Sequence, residues 1–175
     1  MNGKSDTEFV PEGTVTLAEA ITVAARIRAI YYGDTITQGT GNSWYQPYVD
    51  YASRKAIIAS GQYSDFTALA TREQVANMFV RALPGSWYTE MNLFKTIPDV
   101  PASSSSFAAI QRLYNAGVVT GVDSAYNFKP AENIKRSELS AIINRVALPD
   151  SRLRVVTEEY LSRWSLSEVI FSILW

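Results

Sequence analysis

Arg72 and Arg136 are the residues of this chain best suited to grip a charged ligand. Each follows directly on a residue that should start a helix, in Thr71-Arg72-Glu73-Gln74 and Lys135-Arg136-Ser137-Glu138. A cation in a first helical turn works against the helix dipole, which favours a task beyond solvation. A guanidinium can grip a carboxylate with two parallel hydrogen bonds. Trp44 offers an aromatic face and serves equally well as a packing residue or a ligand platform. Asp99 stands in the turn sequence Pro98-Asp99-Val100-Pro101, where a carboxylate can accept backbone amides. Gly121 is read first as backbone punctuation, because only glycine adopts left-handed conformations freely.

The wider inventory narrows the chemistry further. The 175-residue chain has neither cysteine nor histidine. That removes thiolate metal sites and cysteine nucleophiles, as well as the commonest general base and transition-metal ligand. Glu158 and Glu159 are adjacent and point apart on a helix, while Asp65 and Glu73 belong to no catalytic motif. The expectation is a non-enzyme without cofactor or metal. A net charge of −1 gives no footprint for nucleic acid or an anionic membrane. No apolar run is long enough to span a bilayer. At 47% hydrophobic and 19% charged, the chain should fold as a single domain or a few small repeats.

Helical periodicity sets the secondary structure around these residues. Thr16 and Glu19 form a capping box at the head of a helix running to about Tyr32, stopped by Gly33-Asp34. A Gly-rich loop over 34–43 leads to a second helix that opens at Trp44 and runs to about Ala56. Thr71 and Gln74 cap a third helix, which Pro84-Gly85 stops. The run Ser103 to Ser106 precedes a fourth helix that stops at Gly117, and a fifth follows Lys135 and ends at Pro149-Asp150. A last helix is expected near the C-terminus, where Ser165 and Glu168 cap an apolar run to Trp175.

Three of these helices superimpose. With Glu19, Gln74 and Glu138 aligned, Ala20, Val75 and Leu139 coincide, as do Val23, Met78 and Ile142, and Ala24, Phe79 and Ile143. Arg26, Arg81 and Arg145 coincide as well and are assigned structural roles on the bundle surface. Phe9 and Pro11 stand as far before Glu19 as Phe128 and Pro130 stand before Glu138. The middle copy has a shortened connector without the proline. Successive helix starts lie roughly 55 to 65 residues apart.

The pattern resembles S-layer homology repeats, the cell-surface modules that hold bacterial exoproteins on the wall. The third copy carries Asp99, Ala109-Ile110, Leu113, Gly117-Val118, Gly121, Phe128-Lys129-Pro130 and Lys135-Arg136-Ser137-Glu138. The middle copy carries Trp44, Tyr48-Val49, Ala52, Ile57-Ile58 and Ala70-Thr71-Arg72-Glu73-Gln74, and the first only a second half, from Phe9 and Pro11 to Thr16-Leu17-Ala18-Glu19. The implied boundaries are a half repeat at 1–33, full repeats at 34–92 and 93–149, and a helical tail at 150–175. The tail would pack on the domain or on a second copy as a homodimer contact.

The resemblance implies an all-α, pseudo-threefold helical repeat domain with the first helices of the repeats in a central bundle. It implies binding of a secondary cell-wall polysaccharide, often carrying a pyruvate ketal, in grooves between repeats. The ketal carboxylate would meet free amides at a helix start, with Arg72, Arg136, Trp44, Asp99 and Gly121 as candidate ligand residues. The setting would be extracellular, on a piece of a longer secreted protein. The pattern is incomplete: Leu17 stands at the arginine position of the first copy, Ser105 at the tryptophan position of the third, and the lead-in Asp falls near Gln38 in the middle copy. A fold that keeps its architecture for protein assembly and has lost the glycan is the alternative.

Overall fold

A computed structural model describes residues 10–37 and 43–156. Among them are five α-helices and no extended strands: α1 Leu17–Tyr32, α2 Gln46–Arg54, α3 Arg72–Ala82, α4 Phe107–Asn115 and α5 Arg136–Ala147. Two 3-10 turns follow α3 and α5, at Gly85–Trp87 and Pro149–Ser151. The fold is all-α, and the aligned apolar columns form its core. Ala20, Val75 and Leu139 are buried, as are Met78, Phe79, Ile142 and Val146.

The helix starts form where the sequence placed them. Thr16 and Thr71 cap α1 and α3, and Glu19 and Gln74 return the bond to the cap amide at 2.8 Å in each case. At α5 only half of this box exists, because a lysine side chain cannot accept: Lys135 N–H donates to Glu138 at 2.9 Å.

Just before each cap, three segments meet in a closed ring. The Val15 amide donates to the Ile134 carbonyl (3.1 Å), the Ile134 amide to Ala70 (3.0 Å), and the Ala70 amide to Val15 (2.8 Å). All three residues are fully buried. The next two amides of each helix continue the cycle. Leu17 and Ala18 donate to Ala68 and Phe66, Arg72 and Glu73 to Glu132 and Pro130, and Arg136 and Ser137 to Gly13 and Pro11. Helices normally leave their first amides without intrahelical partners. Here the neighbouring lead-in supplies carbonyls for them.

Two expectations change. The helices gathered at the centre are the second ones, α1, α3 and α5, through this ring; α1 also packs on α3, while α2 packs on α1 and α4 on α3. The ring requires it, since only these helices carry a lead-in. The middle connector also keeps its last turn: Phe66 accepts the bond that Pro11 and Pro130 accept in the other copies.

Helices α2 and α4 end in the same way. The Ile57 amide returns to Ala52 and the Val118 amide to Leu113, and the residues before them are left-handed, Ala56 at φ 56° and Gly117 at φ 69°. Beyond α5, residues 152–155 run back over α4. Asn92 Nδ2 donates to the Leu153 carbonyl (2.9 Å), and Asn92 Oδ1 accepts from the Val155 amide (2.7 Å). The helix expected at the C-terminus lies outside the described residues.

Two predictions follow from these contacts. Ala56 occupies a left-handed position that costs a residue with a Cβ about 1–2 kcal/mol. Ala56→Gly should therefore leave stability unchanged or raise it by up to about 1 kcal/mol in urea unfolding, since glycine's extra unfolded-state entropy offsets part of the gain. The second concerns alkaline pH. Burial and the Asp34 carboxylate push the Tyr51 hydroxyl up to about 12, and burial raises Tyr88 and Tyr114 further. A raised folded-state pKa contributes stability below the ordinary tyrosine value of about 10, lost as pH climbs through the raised value. Unfolding midpoints should fall between pH 9 and 11.5, with the part of the tyrosinate absorbance that belongs to Tyr51, Tyr88 and Tyr114 appearing only as the chain unfolds.

Candidate functional site

The position after each cap points into the junction with the next lead-in, and it is buried in all three copies: Leu17 at 4% exposure, Arg72 at 6% and Arg136 at 3%. A buried guanidinium is costly unless paired and hydrogen-bonded. Arg72 is both. Its Nε donates to the Phe128 carbonyl (2.6 Å), its Nη1 meets Glu138 Oε1 (2.6 Å), and its guanidinium lies 5.0 Å from the Phe128 ring centroid. Arg136 Nη1 lies 3.6 Å from Glu19 Oε1. Glu138 and Glu19 thus divide their carboxylates, one oxygen for their own helix cap and the other for an arginine of the neighbouring repeat. At the third junction the corresponding residues are Leu17 and Gln74, both uncharged.

Asp99 also faces inward. Its two carboxylate oxygens accept the amides of Phe128 (2.7 Å) and Lys129 (2.6 Å). Lys129 sits at φ 56°, a conformation that needs outside support in front of Pro130. Arg72 and Asp99 therefore converge on the backbone of Phe128 from opposite sides of its peptide unit. Gly121 has φ 85°, and a Cβ there would lie 2.7 Å from the Tyr126 backbone. It closes the loop in which the Val122 amide bonds the Asn127 carbonyl. Its role is backbone geometry, apart from the other four residues.

Trp44 is the open member of the set, at 59% exposure with its ring edge-on to Tyr45. It borders a cleft of about 260 Å³ lined also by Thr16, Ala18, Glu19, Phe66 and Thr67. Glu19 belongs to this cleft and to the Arg136 ion pair, so Trp44 and Arg136 meet through it.

An anion cannot use the starts of α1 and α3 in the way expected from the resemblance. At α1 and α3 the first two amides are taken by the neighbour's lead-in and the third by the cap hydroxyl. Any negative group held near them must be met by a side chain.

One such side chain was assigned a structural role on sequence grounds. Arg26 donates to the Tyr48 hydroxyl (2.8 Å) and lies over its ring, and Arg145 donates to the Val118 carbonyl (3.2 Å). Arg81, their counterpart in α3, is exposed, and its guanidinium makes no hydrogen bond or ion pair among the described residues. It lines a second cleft of about 350 Å³ with Gln62, Tyr63, Gln74, Asn77 and Ser105. The signal lay in another helix, where Ala109 stands in α4 at the place of Tyr48 in α2.

The family model of the S-layer homology domain matches residues 96–140. That stretch holds Asp99, α4, Gly121, the Phe128-Lys129-Pro130 turn and the first turn of α5 with Arg136. Residues 96–140 are thus an S-layer homology domain, a type of module found at the cell surface and associated with anchoring to the cell wall. Among curated proteins none matches the chain. No helix of the described residues is long and apolar enough to cross a membrane.

The shared carboxylate makes a testable unit of Arg72 and Glu138. Arg72→Leu should cost about 2–3 kcal/mol in urea unfolding, the scale of charge-assisted hydrogen bonds. Adding Glu138→Gln copies the uncharged pair Leu17 and Gln74, so the double variant should be more stable than the two single losses added together. The coupling expected from the double-mutant cycle is about 1–3 kcal/mol.

Proposed function

We propose that this chain anchors a surface protein to the bacterial cell wall by holding secondary cell-wall polysaccharide in the clefts between its repeats. The observation that carries the reading is the matched unit at 96–140, set in a ring whose three junctions share one hydrogen-bond pattern. On this reading 1–33 is the second half of a repeat, 34–92 and 93–149 are two full repeats, and the protein is extracellular.

The named residues divide into two kinds. Trp44 is the contact residue: its ring is open at the mouth of a cleft and can lie against the apolar face of a sugar. Arg136 sits behind Glu19 in the same cleft wall and fixes that carboxylate, which can accept sugar hydroxyls. Arg72 and Asp99 hold the Phe128–Pro130 connector and so set the spacing between the second and third repeats, while Gly121 shapes the loop that precedes it. A pyruvate ketal on the polymer would supply the anionic group. Weak single sites become useful on a polymer, because occupying two clefts of one chain raises avidity by about 10²–10⁴.

Retention on purified wall polysaccharide coupled to a resin tests the reading. Wild type should be held and Trp44→Ala should be held several-fold less, with the same unfolding midpoint. Absence of wild-type retention would refute polysaccharide anchoring, and equal retention of the two proteins would remove Trp44 from the contact surface.

A further inference from the structure

Two of the three second helices are followed along the chain by a helix that folds back on them: α2 lies on α1, and α4 lies on α3. Among the described residues no helix lies on α5 in this way. Burial differs accordingly. With Glu19 and Glu138 aligned, Ala25 and Ala29 of α1 are buried, whereas Asn144 and Leu148 at the same places in α5 are exposed, Leu148 at 57%. Ile143 is only partly buried where its counterparts Ala24 and Phe79 are fully buried.

The same side of α5 carries an unmatched charge. Arg145 is partly buried, and its Nη1 donates to the Val118 carbonyl at 3.2 Å. No carboxylate pairs with it among the described residues. Burial alone lowers its pKa, the mark of a cation losing water without a compensating anion. Its counterpart Arg26 is met by the helix that follows α1, through the Tyr48 hydroxyl and ring.

The segment beyond Val156 has the chemistry to cover this face. Residues 33–45 separate α1 from α2, and residues 83–106 separate α3 from α4. After α5, residues 148–164 make a return of intermediate length before the apolar run at 165–175. Placing Trp164 on Trp44 and Ser105 sets Val169 on Val49 and Ile110, both buried, and Phe171 on the buried Tyr51. The apolar match lapses at Ser172, which falls on Ala52 and Leu113. At the place of Tyr48 this register puts Glu168, so the pair Tyr48 and Arg26 becomes Glu168 and Arg145. Reach is sufficient: residues 157–164 span up to about 26 Å when extended, against about 18 Å for the length of α5.

We infer that residues 165–174 dock as a helix on the outer face of this chain's own α5, with Glu168 paired to Arg145. The docked segment covers Ile143 and Leu148 and gives α5 the partner that α1 and α3 already have. Its apolar side chains leave water in the same step. None of this depends on the polysaccharide reading.

Two measurements on the whole chain test it. In urea unfolding, Glu168→Gln should shift the equilibrium about three- to tenfold toward the unfolded state, the scale of a partly buried ion pair. Glutamine keeps the capping role that the Ser165 spacing gives Glu168, so the shift reads the charge. The same substitution should have no effect when Arg145→Gln is already present. An equal shift in both backgrounds, or none in either, overturns the pairing. The second measurement uses the absence of cysteine: Asn144→Cys, at an exposed position, carries a single benzophenone label. Illumination of a mixture of light and ¹⁵N-labelled chains should join residue 144 to residues 165–174 within one chain. Joining only between light and heavy chains places the segment on a second copy and overturns docking on its own α5. Capture of other residues alone, or of none, overturns docking on this face.

Discussion

The arrangement of the three repeats rests on the ring that closes among Val15, Ala70 and Ile134. Each residue donates one backbone hydrogen bond and accepts one, so the cycle satisfies all six polar groups without water. That is why three fully buried residues can sit at the meeting point of three helix starts. The same cycle sets the direction of everything outside it. Each helix passes its next two amides to the lead-in of its neighbour, so the first-turn side chains of the three second helices enter equivalent junctions.

Those junctions explain how two arginines come to be buried. The third helical residue must accept the cap amide, which uses one oxygen of Glu19 or Glu138. The remaining oxygen faces the junction, where the neighbour's first-turn side chain arrives. An arginine there completes a bridge between repeats; leucine there requires a neutral partner, and Gln74 is neutral. The sequence departs from its own pattern at Leu17 and at Gln74 together because the two positions belong to one junction. What looks like decay of two motifs in two copies is one coherent change at one interface.

This also marks where the sequence was legible. The capping boxes at Thr16 and Thr71, the apolar columns and the stops at Gly33 and Gly117 are local signals, and all appear in the structure. The burial of Arg72 and Arg136 is not local. It depends on Glu138 and Glu19, far away in the chain, and an arginine in a first turn otherwise reads as solvated. The central helices were misassigned for a related reason: amphipathic periodicity shows that a helix has a buried face, and long-range backbone bonds decide what that face meets. Phe66 stands in for Pro11 and Pro130 through the same backbone acceptor, a match that residue type does not reveal.

The clefts show how such a scaffold can vary its chemistry at low energetic cost. The ring and the junctions carry the stability, so side chains at the mouths of the clefts are under weak packing constraint. Replacing Trp44 and Tyr48 by Ser105 and Ala109 removes aromatic surface from one cleft while the two helices keep the same hydrogen-bond pattern at their ends. The consequence appears on a different helix, where Arg26 is held by a ring and its counterpart Arg81 is not. A cation that packs as a structural residue in one repeat thus becomes an available charge in the next, without any change in its own residue type.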